Sequence, residues 1–300
     1  MAIYPSYISQ TWFKEMPTYQ EQIYNTIRVE PLTPRIGAII HGVDAKNPIS
    51  EEQANEIRRA MDLHLILFFR DQDVSYEEQK SFATIFGNIR PYHEETLNPV
   101  PDHPEFSVMN QNANSKFCHG AQWHTDVTCD ENPPEFTMLH ATEIPVIGAD
   151  TVYTSTYAMY DSLSKPLQEF LEKLTAVHSS KHKMFLRASI NLATDAGWSE
   201  AVHPVIIKHP RTGRKIVYVN PSFTTHINGI TKTESDLLLG YLFNQIERSD
   251  FQCRWKWSVN DIVIWDNKTT HHHAIWDYWP YTRTANRLTI GSYNPKSMKC

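Results

Sequence analysis

From Phe106 onward the chain is a succession of short strand-like segments, FSVM, WHTDVT, EFTMLHA and DTVYTS, and later DIVIWDN and RLTIGSY, set between polar or proline-bearing connections such as DENPP. Apolar runs of about four to eight residues closed by turn residues read as strands. A chain with so many of them must lay sheet on sheet, or close a barrel, to bury their apolar faces. LHLILFFR (63–70) is an unbroken apolar run of strand length and predicts a buried central strand. RVEPLTPRIGAIIHGVD suggests short strands broken by Pro31, Pro34 and Gly37, and HPVIIKHPRTGRKIVYVN a hairpin turning at Arg211, Thr212 and Gly213.

Helices are predicted around this β-rich text. Ser50, with Gln53 three residues on, can cap a helix carrying Ile57 and Met61 one turn apart. Ser75 and Glu78 form a capping-box pattern opening a helix that turns Phe82 and Ile85 inward and stops at Gly87. SLSKPLQEFLEKL (162–174) places Leu167, Phe170, Leu171 and Leu174 on one helical face, and TESDLLLGYLFNQIE is a further helix. Two stretches lack patterning. The first thirty residues read as a surface arm, and 175–200 as a functional or mobile loop, a candidate lid. The expected architecture is mainly β with flanking helices: one domain over 1–300 with a double-stranded β-helix core, jelly-roll and cupin-like.

With 41% hydrophobic residues in 300, the chain can bury a large core. A net charge of -6 argues against nucleic acid as a partner, which would favour a basic footprint. Cys118, Cys129, Cys253 and Cys300 lack CxxC spacing, so neither a thiolate zinc site nor a disulfide framework is predicted. Reduced thiols, the lack of an apolar leader in MAIYPSYISQTWFKEM and the absence of a membrane-length apolar run point to a soluble cytoplasmic protein. Its expected partner is a small-molecule substrate, with no nucleic acid and no membrane; the aromatic N-terminal arm leaves a homo-oligomer open.

Within QWHTDVTC, His124 and Asp126 stand two positions apart. On an extended strand they project from one face, with Thr125 on the other, and could chelate one ion. Two histidines and one carboxylate hold iron while leaving three coordination positions open, so a third ligand is needed. HHH at 271–273, beyond DIVIWDN, is the natural source, although the residues alone do not choose among its three histidines. The same donor set also suits zinc, which leaves a zinc-dependent hydrolase or a metal-bearing binding protein as alternatives of another class. A non-enzymatic β-sandwich using helices 50–63 and 75–87 for interactions is the plainest alternative.

The ordered set WHTDVT, PP, GADTVYTS, HPRTGRKIVYVN, NDIVIWDN, HHHAIWDY and the late arginines resembles the taurine dioxygenase family of iron(II)- and 2-oxoglutarate-dependent oxygenases, from about residue 30 to 295. The resemblance implies His124, Asp126 and His272 as catalytic iron ligands, His272 being chosen by its position five residues before Asp277-Tyr278. His271 and His273 then become surrounding residues, and Trp123 a wall beside the metal. It implies Arg283 and the Thr151 hydroxyl as the grip on the far carboxylate of 2-oxoglutarate, where arginine's planar fork suits a carboxylate. Asp266 and Asn267, at the end of the strand leading to His272, are candidates to orient its ring. The implied cofactor set is Fe(II), 2-oxoglutarate and O2. The implied reaction oxidises a carbon of the substrate by hydroxylation, carbon–heteroatom cleavage or desaturation, releasing succinate and CO2. Halogenating relatives lack the carboxylate, so Asp126 favours oxygen transfer or desaturation.

Arg287 matches the family's substrate-anion arginine. Tyr92, Glu95 and Gly120 depart from the histidine, tyrosine and asparagine of the taurine pocket, which speaks against taurine itself. Tyr92, His93 and Asn112 are candidates to line a reshaped pocket. The expected substrate is a small organic acid or amino-acid-like compound; a larger natural-product intermediate under the 175–200 lid is the alternative.

Overall fold

Residues 22–91, 99–118, 120–181 and 198–300 are described by a computed structural model. The chain opens with a hairpin of β1 (Arg28–Pro31) and β2 (Ala38–His41), then α1 (Glu51–His64) and β3 (Ile66–Phe69). Next come α2 (Tyr76–Ala83), β4 (Pro99–Val100), β5 (His103–Gln111), β6 (Phe136–Glu143) and β7 (Thr151–Ser155). The helices α3 (Thr156–Asp161) and α4 (Lys165–Leu171) precede β8 (Thr175–Ser179) and β9 (Glu200–Pro204). β10 (Ile206–Lys208), β11 (Lys215–Val217), β12 (Thr224–Asn228) and α5 (Lys232–Ile246) follow. β13 (Gln252–Trp255), β14 (Ile262–Asp266), β15 (Thr270–Ala274) and β16 (Arg283–Ile290) complete the set.

An eight-stranded sheet runs β1-β2-β3-β14-β6-β16-β5-β4, and smaller sheets β13-β7-β15, β12-β8-β9 and β10-β11 stand beside it. The apolar run at 66–69 is unbroken because this part of the large sheet is covered on both faces. Ile66, Phe68, Val263 and Trp265 pack with Tyr153 and Trp255 from the smaller sheets and with Tyr218, just past β11. The alternate residues Leu67, Phe69, Ile262 and Ile264 pack under Ile57, Met61 and Phe82 of the two helices. This is the expected jelly-roll core with outer helices. It departs from a purely antiparallel arrangement in one pair, β2 with β3, which is parallel. The chain covers that return through α1, the crossover a parallel pair needs.

Local signals hold to different degrees. Ser75 and Glu78 make the full reciprocal capping box. The Ser50 hydroxyl caps α1, but the Gln53 side chain donates instead to the Thr26 and Gly42 carbonyls. Helix α4 is shorter than 162–174, and Phe170, expected on its apolar face, is 44% exposed. WHTDVT is not a strand. After a single bridge at His124 the chain turns through residues 126–129, with Val127 at φ 51°, a left-handed conformation unusual for a β-branched residue. The expected loop at 175–200 begins and ends as strand, since Thr175–Ser179 pairs with Glu200–Pro204; residues 182–197 lie outside the described residues, as does the arm before residue 22. Among the described residues no helix is long and apolar enough to cross a membrane, and all four cysteines are free thiols.

Burial makes this fold acid-sensitive. His64, at the end of α1, is 3% exposed, and desolvation pushes its pKa down to about 4 from 6.5. The unfolded chain therefore binds a proton that the folded chain refuses between those values, and stability falls as pH drops through that window. The span corresponds to about 3 kcal/mol at full development. Burial lowers His140, His178 and His203 in the same direction. Denaturant unfolding of the wild type and His64→Leu is expected to show a stability difference that shifts in the variant's favour by about 3 kcal/mol from pH 7 to pH 4. Parallel pH curves would contradict this.

Candidate metal centre

The bridge between His124 and His272 decides the geometry of the site. Backbone N–H groups of each donate to the other's carbonyl, at 3.1 and 2.8 Å. Alternation then sorts the side chains into two sets. His124 and His272 face each other, with ring centroids 4.0 Å apart. On the other side Thr125 meets His271 and Trp123 meets His273. Of three consecutive histidines only the middle one can therefore join His124.

Asp126 completes the group. Its Oδ1 is 3.7 Å from His124 Nε2 and 3.9 Å from His272 Nε2, too far for hydrogen bonds, and the three ligand atoms lie within 4.8 Å of one another. All three residues are buried. His124 Nδ1 is 2.7 Å from the Gln122 carbonyl, which can only accept, so Nδ1 carries the proton and Nε2 offers a lone pair. Two imidazole nitrogens and a carboxylate converging on one point, slightly wider than the separation of about 3 Å between two ligands on one ion, form a donor set suited to a divalent transition metal.

The carboxylate is held from three directions. Trp265 Nε1 donates to Asn267 Oδ1, Asn267 Nδ2 to Thr137 Oγ1, and the Thr137 hydroxyl to Asp126 Oδ2 at 2.7 Å. Arg287 Nη2 is 3.2 Å from the same oxygen. Beneath the turn, His203 Nε2 lies 3.0 Å from both the Thr128 and Asp130 carbonyls, and Asn220 donates to the Thr128 hydroxyl. These bonds hold the turn in which Val127 adopts its left-handed conformation. Burial alone would raise the Asp126 pKa, but Arg287, His272, His124 and the Thr137 hydrogen bond together hold it well below the usual carboxylate range. Burial, with His272 adding to it, pushes His271 down to about 3. The support expected from Asp266 and Asn267 runs elsewhere than to His272: Asn267 reaches Asp126 through Thr137, and Asp266 pairs with His209 and the fully buried Lys268.

Thr151 of β7 and Arg283 of β16 are both buried. Arg283 is 5% exposed, its Nε is buried without a hydrogen-bond partner, and it has no ion pair among the described residues. It opens β16, paired with Gln111 of β5 and four residues before Arg287. Thr151, at the start of β7, is buried and accepts from Trp257 Nε1 at 3.0 Å. A buried guanidinium Nε–H without an acceptor is open to an anion. Arg287 is 23% exposed in its side chain and bridges from β16 to Asp126.

Asn112 is placed differently from expectation. Its side-chain oxygen accepts from the Asn114 backbone and its amide donates to Asn110, so it shapes a local turn. Tyr92, His93 and Glu95 lie outside the described residues. Gly120 has φ +82°, and a Cβ there would sit 3.3 Å from His124 Cε1, so a side chain would crowd the ligand ring. Sequence reasoning missed Thr137, His203, Asn220 and Trp257, whose partners are distant in the chain and leave no local pattern.

Residues 28–289 match the family described as Taurine catabolism dioxygenase TauD, TfdA family. The chain is 32% identical over 293 residues to an alkylsulfatase of Acinetobacter baylyi, covering 93% of this chain and 88% of that protein. It is 31% identical over 277 residues to an alpha-ketoglutarate-dependent sulfate ester dioxygenase of Pseudomonas putida, covering 89% and 90%. A crystal structure of a taurine dioxygenase from Burkholderia xenovorans superposes with a TM-score of 0.77 at 32% identity, covering 90% of each chain.

Proposed function

The chain belongs to the TauD/TfdA family of dioxygenases, and on that premise we propose that His124, Asp126 and His272 hold ferrous iron while Arg283 and Thr151 hold the far carboxylate of 2-oxoglutarate. The enzyme is a 2-oxoglutarate-dependent dioxygenase, an oxidoreductase acting on a small organic substrate. Family membership sets aside the zinc hydrolase and the non-enzymatic β-sandwich. The observation that carries the reading is the convergence of three buried ligand atoms from segments almost 150 positions apart, within 4.8 Å.

Bound ferrous iron would supply the activation of O2 that is coupled to loss of CO2 from the keto acid. The chain's own residues supply position. His124 presents Nε2 because its Nδ1 is tied to Gln122. The Thr137 hydroxyl fixes Asp126 Oδ2 and leaves Oδ1 toward the imidazoles. Arg283 gives the distal carboxylate a buried cation, and Thr151 gives it a hydroxyl. Trp123 and His273 pack edge to face on the side of the bridge away from His124 and His272, so Trp123 does not stand where a wall beside the metal was expected. Arg287, next to Asp126, would hold an acidic group of the substrate close to the metal. That position favours a small organic acid or amino-acid-like compound over a large neutral one, and the alkylsulfatase and sulfate ester relatives make organosulfur acids the first compounds to test.

The test has two parts. Anaerobic Fe(II) with 2-oxoglutarate is expected to give a weak visible charge-transfer band, and zinc none. Succinate release is then measured across sulfonates, alkyl sulfates, aryloxy acids and amino acids. No band would overturn the iron and keto-acid reading. A band without stimulation by any of these acids would leave that reading standing and remove the small-acid substrate.

A further inference from the structure

Trp257 lies between the two side chains assigned to the cosubstrate. It sits two residues after β13, is 4% exposed, and donates its indole N–H to Thr151 Oγ1 at 3.0 Å. The Arg283 guanidinium carbon stands 5.2 Å from its ring centroid. One indole therefore touches both groups.

The consequence follows from donor counting. An indole N–H can only donate, whereas a threonine hydroxyl has one proton and two lone pairs. Donation by Trp257 occupies an acceptor position on Oγ1 and leaves the hydroxyl proton to be given elsewhere. A carboxylate can only accept, so Thr151 is set in advance as a donor to it. In the ligand-free protein the nearby acceptor for that proton is the buried Tyr153 hydroxyl, two residues along the same face of β7, which has no partner at hydrogen-bond geometry, so an arriving carboxylate competes with it for the proton. Towards Arg283 the ring acts differently. A cation over an aromatic face is stabilised without engaging any of its N–H groups, so the buried Nε–H stays available for an acceptor.

We propose that Trp257 is a positioning residue for 2-oxoglutarate, orienting the Thr151 proton and the Arg283 fork before the cosubstrate arrives. The inference rests on the assignment of Thr151 and Arg283 to that ligand. A merely structural tryptophan, packed in the core, would alter stability without a selective effect on cosubstrate affinity.

The experiment measures the dissociation constant of 2-oxoglutarate by calorimetry in the Mn(II)-loaded protein, together with KM and kcat in the iron enzyme. Trp257→Phe keeps a ring under Arg283 and removes the N–H. It is expected to raise both the dissociation constant and KM about tenfold, the loss of one hydrogen bond to a charged acceptor, with kcat within about twofold. Thr151→Val should do the same, Thr151→Ser should retain affinity, and the Trp257→Phe/Thr151→Val double variant should be no weaker than Thr151→Val alone. If Trp257→Phe does not fold, replacement of Trp257 by its isostere with sulfur in place of the indole N–H gives the same contrast. Wild-type affinity in Trp257→Phe, or effects that multiply in the double variant, would overturn the proposal. Wild-type affinity in Arg283→Leu would instead remove the cosubstrate assignment beneath it.

Discussion

Asp126→Ala is expected to abolish succinate formation, with a loss of at least about a thousandfold because the residue acts as one member of a unit. The alanine removes the carboxylate of the proposed ligand set and leaves Arg287 beside two imidazoles with its carboxylate partner gone. A divalent ion would then face two neutral nitrogens and a nearby guanidinium. Asp126→Asn should fail almost as completely, since it keeps the shape and the Thr137 contact but not the charge. The checks are Fe(II) or Mn(II) binding and 2-oxoglutarate turnover on the same preparations, with a thermal midpoint to confirm folding. Near-wild-type turnover in either variant would remove Asp126 from the centre.

Arg283→Leu is expected to raise the 2-oxoglutarate KM by about a hundredfold or more, since a bidentate guanidinium–carboxylate contact consists of two charge-assisted bonds. Arg283→Lys should recover little of this, because an ammonium cannot reproduce the planar fork. The stability effect has the opposite sign. Arg283 is a buried cation whose Nε has no acceptor and which has no ion pair among the described residues, so an apolar residue of related length should leave the thermal midpoint of the ligand-free protein unchanged or higher. Weaker binding without lost stability is what distinguishes a ligand-facing arginine from a structural one. A variant that loses stability while keeping its KM would place Arg283 in the second class.

Elements specified by near neighbours could be read directly. The Ser75 box, the apolar run under two helices and the hairpin with Gly213 at φ +69° need only residues a few positions apart. Where distant groups compete, the local reading fails. Gln53 leaves its capping role for two carbonyls across the fold, and WHTDVT turns after one bridge because His203, Asn220 and Thr137 hold it in that shape. The HxD pair still brings its two donor groups together because one extended step at Thr125, whose hydroxyl bonds the Thr270 carbonyl, is enough to turn both side chains the same way.

The chain's own text carried the β-rich architecture and the types of residue at the site, because strand periodicity and ligand chemistry are properties of neighbours and of side chains. Which of three adjacent histidines turns inward, what steadies the carboxylate, and that one indole touches both Thr151 and Arg283 were decided only by sheets closing over one another. Those are pairings across more than a hundred residues, and no local periodicity encodes them.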